Sequence, residues 1–257
     1  MKRFLLLAFA SLALLPVSAL AADMGPPAYK APPPPPPPPV PIWTGCYVNG
    51  GAGYGMYNQD HYVTDDGLAD TPAVTSGGRG WLGTVGGGCD YQFSLGSWGN
   101  WVVGAFGDYD FMDIHGTFSD PVFGPLTGTE KQNSAWAAGG RIGYLITPNI
   151  LTYWNGGYTQ MRFSGFNLSS PLAGFPDTFS LPSQTYSGGF LGGGTEIALQ
   201  NWWPGLFWRS EYRYSTSNCK DLPISEDGLV VTGAFLNSCK NVQTITSSLV
   251  WKFNWGH

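Results

Sequence analysis

Apolar and polar residues alternate along the last stretch of the chain, residues 241 to 255. Ile245, Leu249, Trp251, Phe253 and Trp255 are apolar, whereas the even-numbered positions between them are mostly polar. A period of two residues predicts a strand with one apolar and one polar face. Large aromatic residues crowded at one end of the apolar face are typical of a membrane-interface girdle. A half-buried strand of a soluble protein shows the same alternation, so this stretch alone leaves both interpretations open.

The same pattern recurs and predicts eight strands in all. Each is close to, or a little longer than, the roughly 9–11 residues that a tilted strand needs to cross a bilayer. The predicted strands cover residues 45–57, 80–93, 100–114, 132–146, 150–163, 185–199, 206–217 and 242–255.

Short and long connections alternate between these predicted strands. The short ones are residues 94–99, 147–149 and 200–205, and the long ones are 58–79, 115–131, 164–184 and 218–241. Alternate connections of an up-and-down barrel lie at opposite ends, with short turns in the periplasm and long loops outside in outer-membrane barrels. The sequence therefore predicts an all-β, eight-stranded antiparallel up-and-down transmembrane barrel with both chain ends on the periplasmic side.

Charged residues within the predicted strands fall on the face opposite the large apolar residues. The charges expected to line the lumen are Asp108, Asp110, Arg141, Glu196, Arg209, Glu211, Arg213 and Lys252. The aromatic residues expected at the membrane interface are Trp101, Tyr109, Trp136, Tyr144, Trp208, Tyr212, Trp251, Phe253 and Trp255. A soluble lipid-carrying barrel would place its apolar face inside. Loop asymmetry and terminal aromatic residues favour the apolar face outside.

The N-terminal region predicts export followed by a spacer. Lys2 and Arg3 precede an apolar run and an A-x-A site, so residues 1–22 read as a cleavable signal peptide. Residues 23–42 contain an unbroken proline run, which favours an extended, semi-rigid periplasmic tether. Contact of this tether with the cell wall is a hypothesis. The barrel is predicted over residues 43–257, and no later stretch is apolar for long enough to be a transmembrane helix.

Composition supports the membrane interpretation. Charged residues are 11% of the chain and aromatic residues 15%, whereas soluble domains carry about 25% charged residues. Removing Lys2 and Arg3 with the signal changes the formal net charge from −5 to −7. An acidic chain without a basic run gives no case for nucleic acid as a partner. The 37 glycines include runs within strands, which we interpret as permitting tight curvature rather than binding phosphate.

The residues WTGCYVNGGAGYG at positions 43–55, after a proline-rich tether, and LVWKFNW at 249–255 resemble a known family. They are similar to the small outer-membrane barrel, or porin family, surface proteins of alphaproteobacteria, and the resemblance covers the chain from Trp43. It implies an eight-stranded barrel in the bacterial outer membrane, inserted by the assembly machinery that reads the last strand. Members are structural envelope proteins, surface antigens or small porins. Cys46 departs from the pattern, where an aromatic residue is usual.

Four cysteines in an exported chain allow three pairings. Cys46 and Cys89 fall at the same rim of a predicted hairpin, and Cys219 and Cys239 flank the last long connection. We therefore predict the disulfides Cys46–Cys89 and Cys219–Cys239. The histidines are scattered and no C-x-x-C spacing occurs, so neither a metal nor another cofactor is predicted.

Two functions follow from an eight-stranded barrel, whose interior is just wide enough for side chains to fill. The charges either pair and close the bore, giving a structural surface protein that contributes to envelope integrity, or leave a narrow channel for small solutes. We expect the structural role, with outer-membrane lipids and lipopolysaccharide as partners and a monomeric state. Catalysis is not expected, because Asp113, His115 and Ser119 are the only candidates and more simply form a polar loop base.

Overall fold

The computed structural model describes residues 41–65, 68–69, 72–120, 126–169, 179–226 and 229–253. All of them belong to one compact unit that spans residues 39–257. The predicted signal peptide, nearly all of the predicted tether and Trp255 lie outside the described residues. No helix in the described ranges is long and apolar enough to cross a membrane.

Twelve strands occur in the described part of the chain, and all the pairings among them are antiparallel. The strands are β1 Gly45–Asp65, β2 Leu68–Ala69, β3 Val74–Ser94, β4 Asn100–Asp120, β5 Leu126–Thr147, β6 Ile150–Phe163, β7 Phe166–Leu168, β8 Phe179–Leu181, β9 Gln184–Ala198, β10 Leu206–Ser217, β11 Lys220–Glu226 and β12 Leu229–Phe253. A single 3₁₀ turn, Gly96–Trp98, lies between β3 and β4.

Eight long strands form a closed ring. The order is β1, β3, β4, β5, β6, β9, β10 and β12, and β12 pairs back onto β1. That last pairing runs from Cys46 opposite Phe253 to Asp65 opposite Ala234. The predicted all-β antiparallel up-and-down sheet is confirmed, and the closed ring leaves none of these eight strands as a free edge.

The strands continue well beyond the ends that the alternation predicts. Much of the predicted long connections is sheet, because β1 reaches Asp65, β4 reaches Asp120 and β12 begins at Leu229. The reason is an inversion of the two faces. Towards these far ends the buried residues include apolar side chains such as Val63, and exposed neighbours such as Asp60 are polar.

The outer surface carries a broad apolar band. Side chains such as Val48, Val103, Ile142, Trp154 and Leu249 are exposed, yet they lie on the strands of the closed ring. Along β4 the exposed or half-exposed apolar positions run from Trp101 to Phe111. That span matches the roughly 9–11 residues needed to cross the hydrocarbon layer. An apolar exterior of this extent is stable only in a lipid environment.

Two disulfides join the pairs that the sequence analysis predicts. Cys46 and Cys89 are direct register partners on β1 and β3 and are bonded to each other. Cys219 is bonded to Cys239 across the β10–β11 connection and β12. The first disulfide lies at the end with the short turns, and the second lies toward the opposite end, so each end carries one covalent link between chain segments.

Candidate functional site

The lumen contains a network of ion pairs centred on Glu196. Its Oε2 accepts hydrogen bonds from Nη1 of Arg141 at 3.1 Å and from Nε and Nη2 of Arg209 at 3.0 and 2.9 Å. Its Oε1 lies 3.1 Å from Nζ of Lys252. Glu196 is completely buried. One carboxylate therefore contacts three cations that come from different strands.

Asp90 is the second carboxylate of this network. Nε of Arg141 donates to its Oδ1 at 2.8 Å, and Nη2 of Arg141 contacts its Oδ2. Nζ of Lys252 lies 2.8 Å from the same Oδ2. Asp90 is on β3, Arg141 on β5 and Lys252 on β12, so these bonds tie separate parts of the ring together across the interior. A forked arginine to carboxylate pair is among the stronger hydrogen-bonded arrangements in proteins.

A second ionic group is centred on Arg213. Its Nη1 and Nη2 donate to the two oxygens of Asp108 at 2.9 and 2.7 Å, and Nη2 also donates to Glu211 at 2.8 Å. Glu211 in turn accepts a hydrogen bond from the Tyr153 hydroxyl at 2.7 Å. Arg213 lies 4.5 Å from the centre of the Phe190 ring. Since Asp108 belongs to β4 and Arg213 to β10, this pair also spans the lumen.

Trp43 closes the lumen at the end that carries the short turns. Its side chain is fully buried and contacts Phe207, with the ring centres 4.8 Å apart. Its Nε1 donates to the Pro148 carbonyl at 3.0 Å, and the ammonium group of Lys252 lies 4.7 Å from its ring. Tyr47 belongs to the same apolar cluster and also contacts the ionic network, with the Arg209 guanidinium 4.7 Å from its ring. We name Trp43 and its apolar neighbours Tyr47, Val102, Leu145, Leu151, Tyr153, Phe207 and Val250 the periplasmic plug.

Two apolar clusters fill the far half of the interior. The first consists of Tyr57, Leu82, Met112, Ile114, Ala135, Met161, Phe163, Tyr186 and Val242. The second, which we name the outer cluster, consists of Val63, Phe118, Leu168, Leu181, Leu222 and Leu236. The lumen is therefore occupied from one end to the other by side chains of the described residues.

A buried ion pair lies between these two clusters. Nζ of Lys240 lies 2.6 Å from Glu130 and also contacts Gln59. The exposed side chains at this level, such as Asn58, are polar, so the pair lies beyond the apolar band. Burial lowers the pKa of Lys240 to about 8, although Glu130 opposes this effect. Lys240 therefore remains mostly protonated near neutral pH.

Little free space remains among these side chains. A cavity between the two ionic groups has a volume of about 20 Å³ and is lined by residues that include Tyr47, Asn49, Asp108, Asn155 and Glu211. A water molecule needs at least about 10–15 Å³ measured in this way. The cavity therefore admits one water molecule and is too small for a hydrated solute.

All eight charged residues that the alternation assigns to the lumen lie inside the ring. They are Asp108, Asp110, Arg141, Glu196, Arg209, Glu211, Arg213 and Lys252, and the most exposed side chain among those that form ion pairs is that of Arg213 at 11%. The eight predicted interface aromatic residues within the described ranges are exposed or half-exposed: Trp101, Tyr109, Trp136, Tyr144, Trp208, Tyr212, Trp251 and Phe253.

The sequence analysis missed several residues of the interior. Asp90 has the parity of the lumen face of β3 and could have been found from the alternation. Glu130 and Lys240 fell in stretches predicted as loops. Trp43 was assigned no role, because it precedes the first strand and its parity carries no information there.

The candidate catalytic residues lie on the outer surface. Oδ1 of Asp113 lies 2.5 Å from Nζ of Lys131 and 2.9 Å from Nε2 of His115. These interactions lower the pKa of Asp113. All three side chains are well exposed and lie beyond the apolar band. The side chain of Ser119 lies outside the described residues. No group of three or more His, Cys, Asp or Glu within the described ranges is arranged to hold a metal ion.

Comparisons with known proteins agree with this architecture. No protein-family model matches the sequence, and no curated protein matches it. The outer membrane protein OprG from Pseudomonas aeruginosa matches with 11% identity over 84% of this chain and 99% of its own, at a TM-score of 0.51. Ail, the attachment invasion locus protein of Yersinia pestis, matches with 13% identity over 79% of this chain and 99% of its own, at a TM-score of 0.33. The outer membrane protease OmpT from Escherichia coli matches with 13% identity over 81% of this chain and 97% of its own, at a TM-score of 0.38.

At this identity the OprG match establishes a shared fold and nothing about activity. The fold, the apolar exterior and the ionic interior together define the class of this protein. It is a β-barrel of the bacterial outer membrane, because a closed ring that exposes Trp154 and Leu249 while burying Glu196 and Arg141 is the inverse of a soluble protein.

Proposed function

We propose that this protein is a structural, surface-exposed component of the outer membrane that contributes to envelope integrity. The observation that supports this proposal is the filled lumen. Ion pairs join β3 to β5, β5 to β9, and β4 to β10 through Asp90, Arg141, Glu196, Asp108 and Arg213. Such cross-links stiffen the ring and leave no path for a solute.

A narrow channel is the alternative, and its energetic requirement is clear. A solute would have to separate Arg213 from Asp108 and displace Trp43, leaving charged groups unpaired in a confined interior. Removing one partner from a buried ion pair costs about 3–5 kcal/mol. Several such pairs lie in series along the lumen, so we expect the barrier to prevent steady conduction.

We expect the purified, refolded protein to be silent in planar-bilayer recordings. The filled lumen supplies the reason, and single-channel current at both polarities is the measurement. A large porin recorded in the same membranes is the positive control. Stable, repeated single-channel steps from this protein would contradict the structural proposal and support the narrow channel.

We expect deletion of the gene to weaken the envelope. The measurements are survival in detergent and release of periplasmic enzymes, and the full-length chain supplied in trans is expected to restore both. An alanine variant of the exposed turn residue Trp98, which is 76% exposed, provides a matched control that should restore them equally. A deletion strain with normal detergent survival would contradict the proposed role.

Other parts of the proposal follow from the sequence. Residues 1–22 direct export, and residues 23–42 form a periplasmic tether, for which contact with the cell wall is a further hypothesis. The assembly machinery inserts the barrel by reading its last strand, and the protein acts as a monomer without catalytic activity. The motifs at 43–55 and 249–255 support membership of the alphaproteobacterial small-barrel family. Lipopolysaccharide is the proposed lipid partner.

A further inference from the structure

The basic residues of this chain are distributed unevenly between its two faces. Nine of the twelve Lys and Arg residues lie in the described ranges. Five of them, Arg141, Arg209, Arg213, Lys240 and Lys252, are buried in the lumen with acidic partners. The other four basic residues of the described ranges, Arg79, Lys131, Arg162 and Lys220, are exposed or half-exposed.

Three of these four outer cations lie together on neighbouring strands. Arg79 of β3 is the register partner of His115 on β4, and His115 is the register partner of Lys131 on β5. Arg162 of β6 is two residues from Ser164, whose backbone N–H donates to the Lys131 carbonyl at 2.9 Å. Directly opposed side chains in a sheet lie about 5 Å apart, and diagonal neighbours about 7–8 Å. We name Arg79, His115, Lys131 and Arg162 the basic row.

The basic row lies at a defined height on the barrel wall. Below it, toward the short turns, each strand carries an exposed aromatic residue: Trp81 on β3, Phe111 on β4, Trp136 on β5 and Tyr158 on β6. Such residues mark the edge of the hydrocarbon layer. The row therefore lies at the level of lipid headgroups in the outer leaflet.

Two members of the row lack an ion-pair partner within the described ranges. No ion pair among the described residues includes Arg79 or Arg162, and both side chains are exposed. Asp113 binds His115 and Lys131 and neutralises part of the charge. The row nevertheless carries a net positive charge on a chain that is acidic overall.

A groove lies beside the row and gives it room for a ligand. Its volume is about 480 Å³, and its lining includes Asn58, Gly77, Arg79, His115 and Thr117. Gly77 and Arg79 are exposed there on β3, and their register partners Thr117 and His115 lie opposite them on β4. Guanidinium groups, hydroxyls and amides are the donors that recognise phosphate and sugar oxygens.

We propose that the basic row and its groove bind the phosphate groups of an outer-leaflet glycolipid. The acyl chains would lie against the aromatic band below, and the phosphate groups would contact Arg79 at the groove and Lys131 and Arg162 on the strands beside it. This inference rests on the proposed lipid partner and names the residues that would bind it. Asp113 would oppose binding, because its carboxylate lies among the cations.

The test measures binding of bis-phosphorylated lipid A to the folded, purified protein in detergent. Removing three cations at a membrane surface, each worth about 1 kcal/mol, is expected to weaken binding on the order of 100-fold in the triple variant Arg79→Gln, Lys131→Gln, Arg162→Gln. Lys220→Gln is the matched control, because it removes the one outer cation that lies apart from the row, and its affinity should be unchanged. Asp113→Asn should bind roughly five-fold more tightly.

Several results would overturn the proposal. The first is an unchanged affinity for lipid A in the triple variant. The second is a loss of affinity in Lys220→Gln as large as that in the triple variant, and the third is no gain of affinity in Asp113→Asn. Equal binding of lipid A without its phosphates would exclude the phosphate as the ligand group. Inorganic phosphate that binds as tightly, with the same dependence on the row, would show a site for free phosphate and not for a lipid. The gain expected in Asp113→Asn cannot arise from misfolding.

The outcome is independent of the closed lumen. None of the substituted residues contacts the ionic network inside, so the triple variant should be as silent in bilayer recordings as the unmodified protein. Loss of lipid binding with continued silence supports the site, whereas conduction by both proteins would refute the structural role without affecting the lipid result.

Discussion

Replacing Glu196 by glutamine is expected to lower the free energy of unfolding by about 3–5 kcal/mol. The amide keeps the size of the side chain but removes the carboxylate that forms the ion pair with Arg209, and it deprives Arg141 and Lys252 of one of their two carboxylates. A fully buried position offers no water to compensate. Equilibrium unfolding by urea of the protein folded in lipid vesicles measures the effect.

Asp60→Asn is the matched control for this substitution. Asp60 is exposed and accepts a hydrogen bond from Thr75 at 2.6 Å, so its replacement should change stability by no more than about 0.5 kcal/mol. The double variant Glu196→Gln, Arg209→Gln should be destabilised by less than the sum of the effects of the two single variants. In each single variant one charge of the pair loses its partner, whereas the double variant removes both charges. Equal stability of Glu196→Gln and the unmodified protein would contradict a network centred on this carboxylate.

Replacing Trp43 by alanine is expected to cost about 3–5 kcal/mol of stability. Trp43 is the largest fully buried side chain of the periplasmic plug, and its loss removes the contact with Phe207 and exposes Lys252. Trp43→Phe should cost less, because it keeps an aromatic ring and loses mainly the hydrogen bond to Pro148, worth about 1 kcal/mol. Urea unfolding followed by circular dichroism measures both variants.

Trp202→Ala provides the comparison, since this tryptophan is 82% exposed on the β9–β10 turn. Its effect is expected to stay within about 0.5 kcal/mol. If Trp43→Ala and Trp202→Ala have equal stabilities, Trp43 does not hold the base of the barrel closed, and the periplasmic plug is wrong as described.

The membrane-spanning half of this barrel could be predicted from the sequence because a single rule governs it. Lipid outside and a narrow interior force each strand to alternate strictly, so Trp136 and Arg141 are assigned to opposite faces by parity alone. The short turns are recognisable from their Gly, Pro and Asn content. Strand number, closure and the eight lumen charges follow from these two signals.

The half beyond the membrane could not be predicted in the same way. There the interior becomes apolar, as at Val63 and Leu236, while the outer face meets water. Within one continuous strand, the apolar residues change from the outward to the inward face. A prediction that expects apolar residues on the outward face therefore assigns the stretch beyond this change to a loop. Trp43 was missed for a different reason, because it precedes the first strand and its burial depends on contacts with Pro148 and Phe207, which are distant in sequence.

The outer cluster also determines what surface this end of the barrel presents. Here the sheet continues, and its inward side chains pack around Phe118 and Leu222. A molecule that bound the outward face would contact neighbouring strands held in register. A synthetic peptide copied from residues 58–65 would therefore be a poor mimic of the surface that the cell displays.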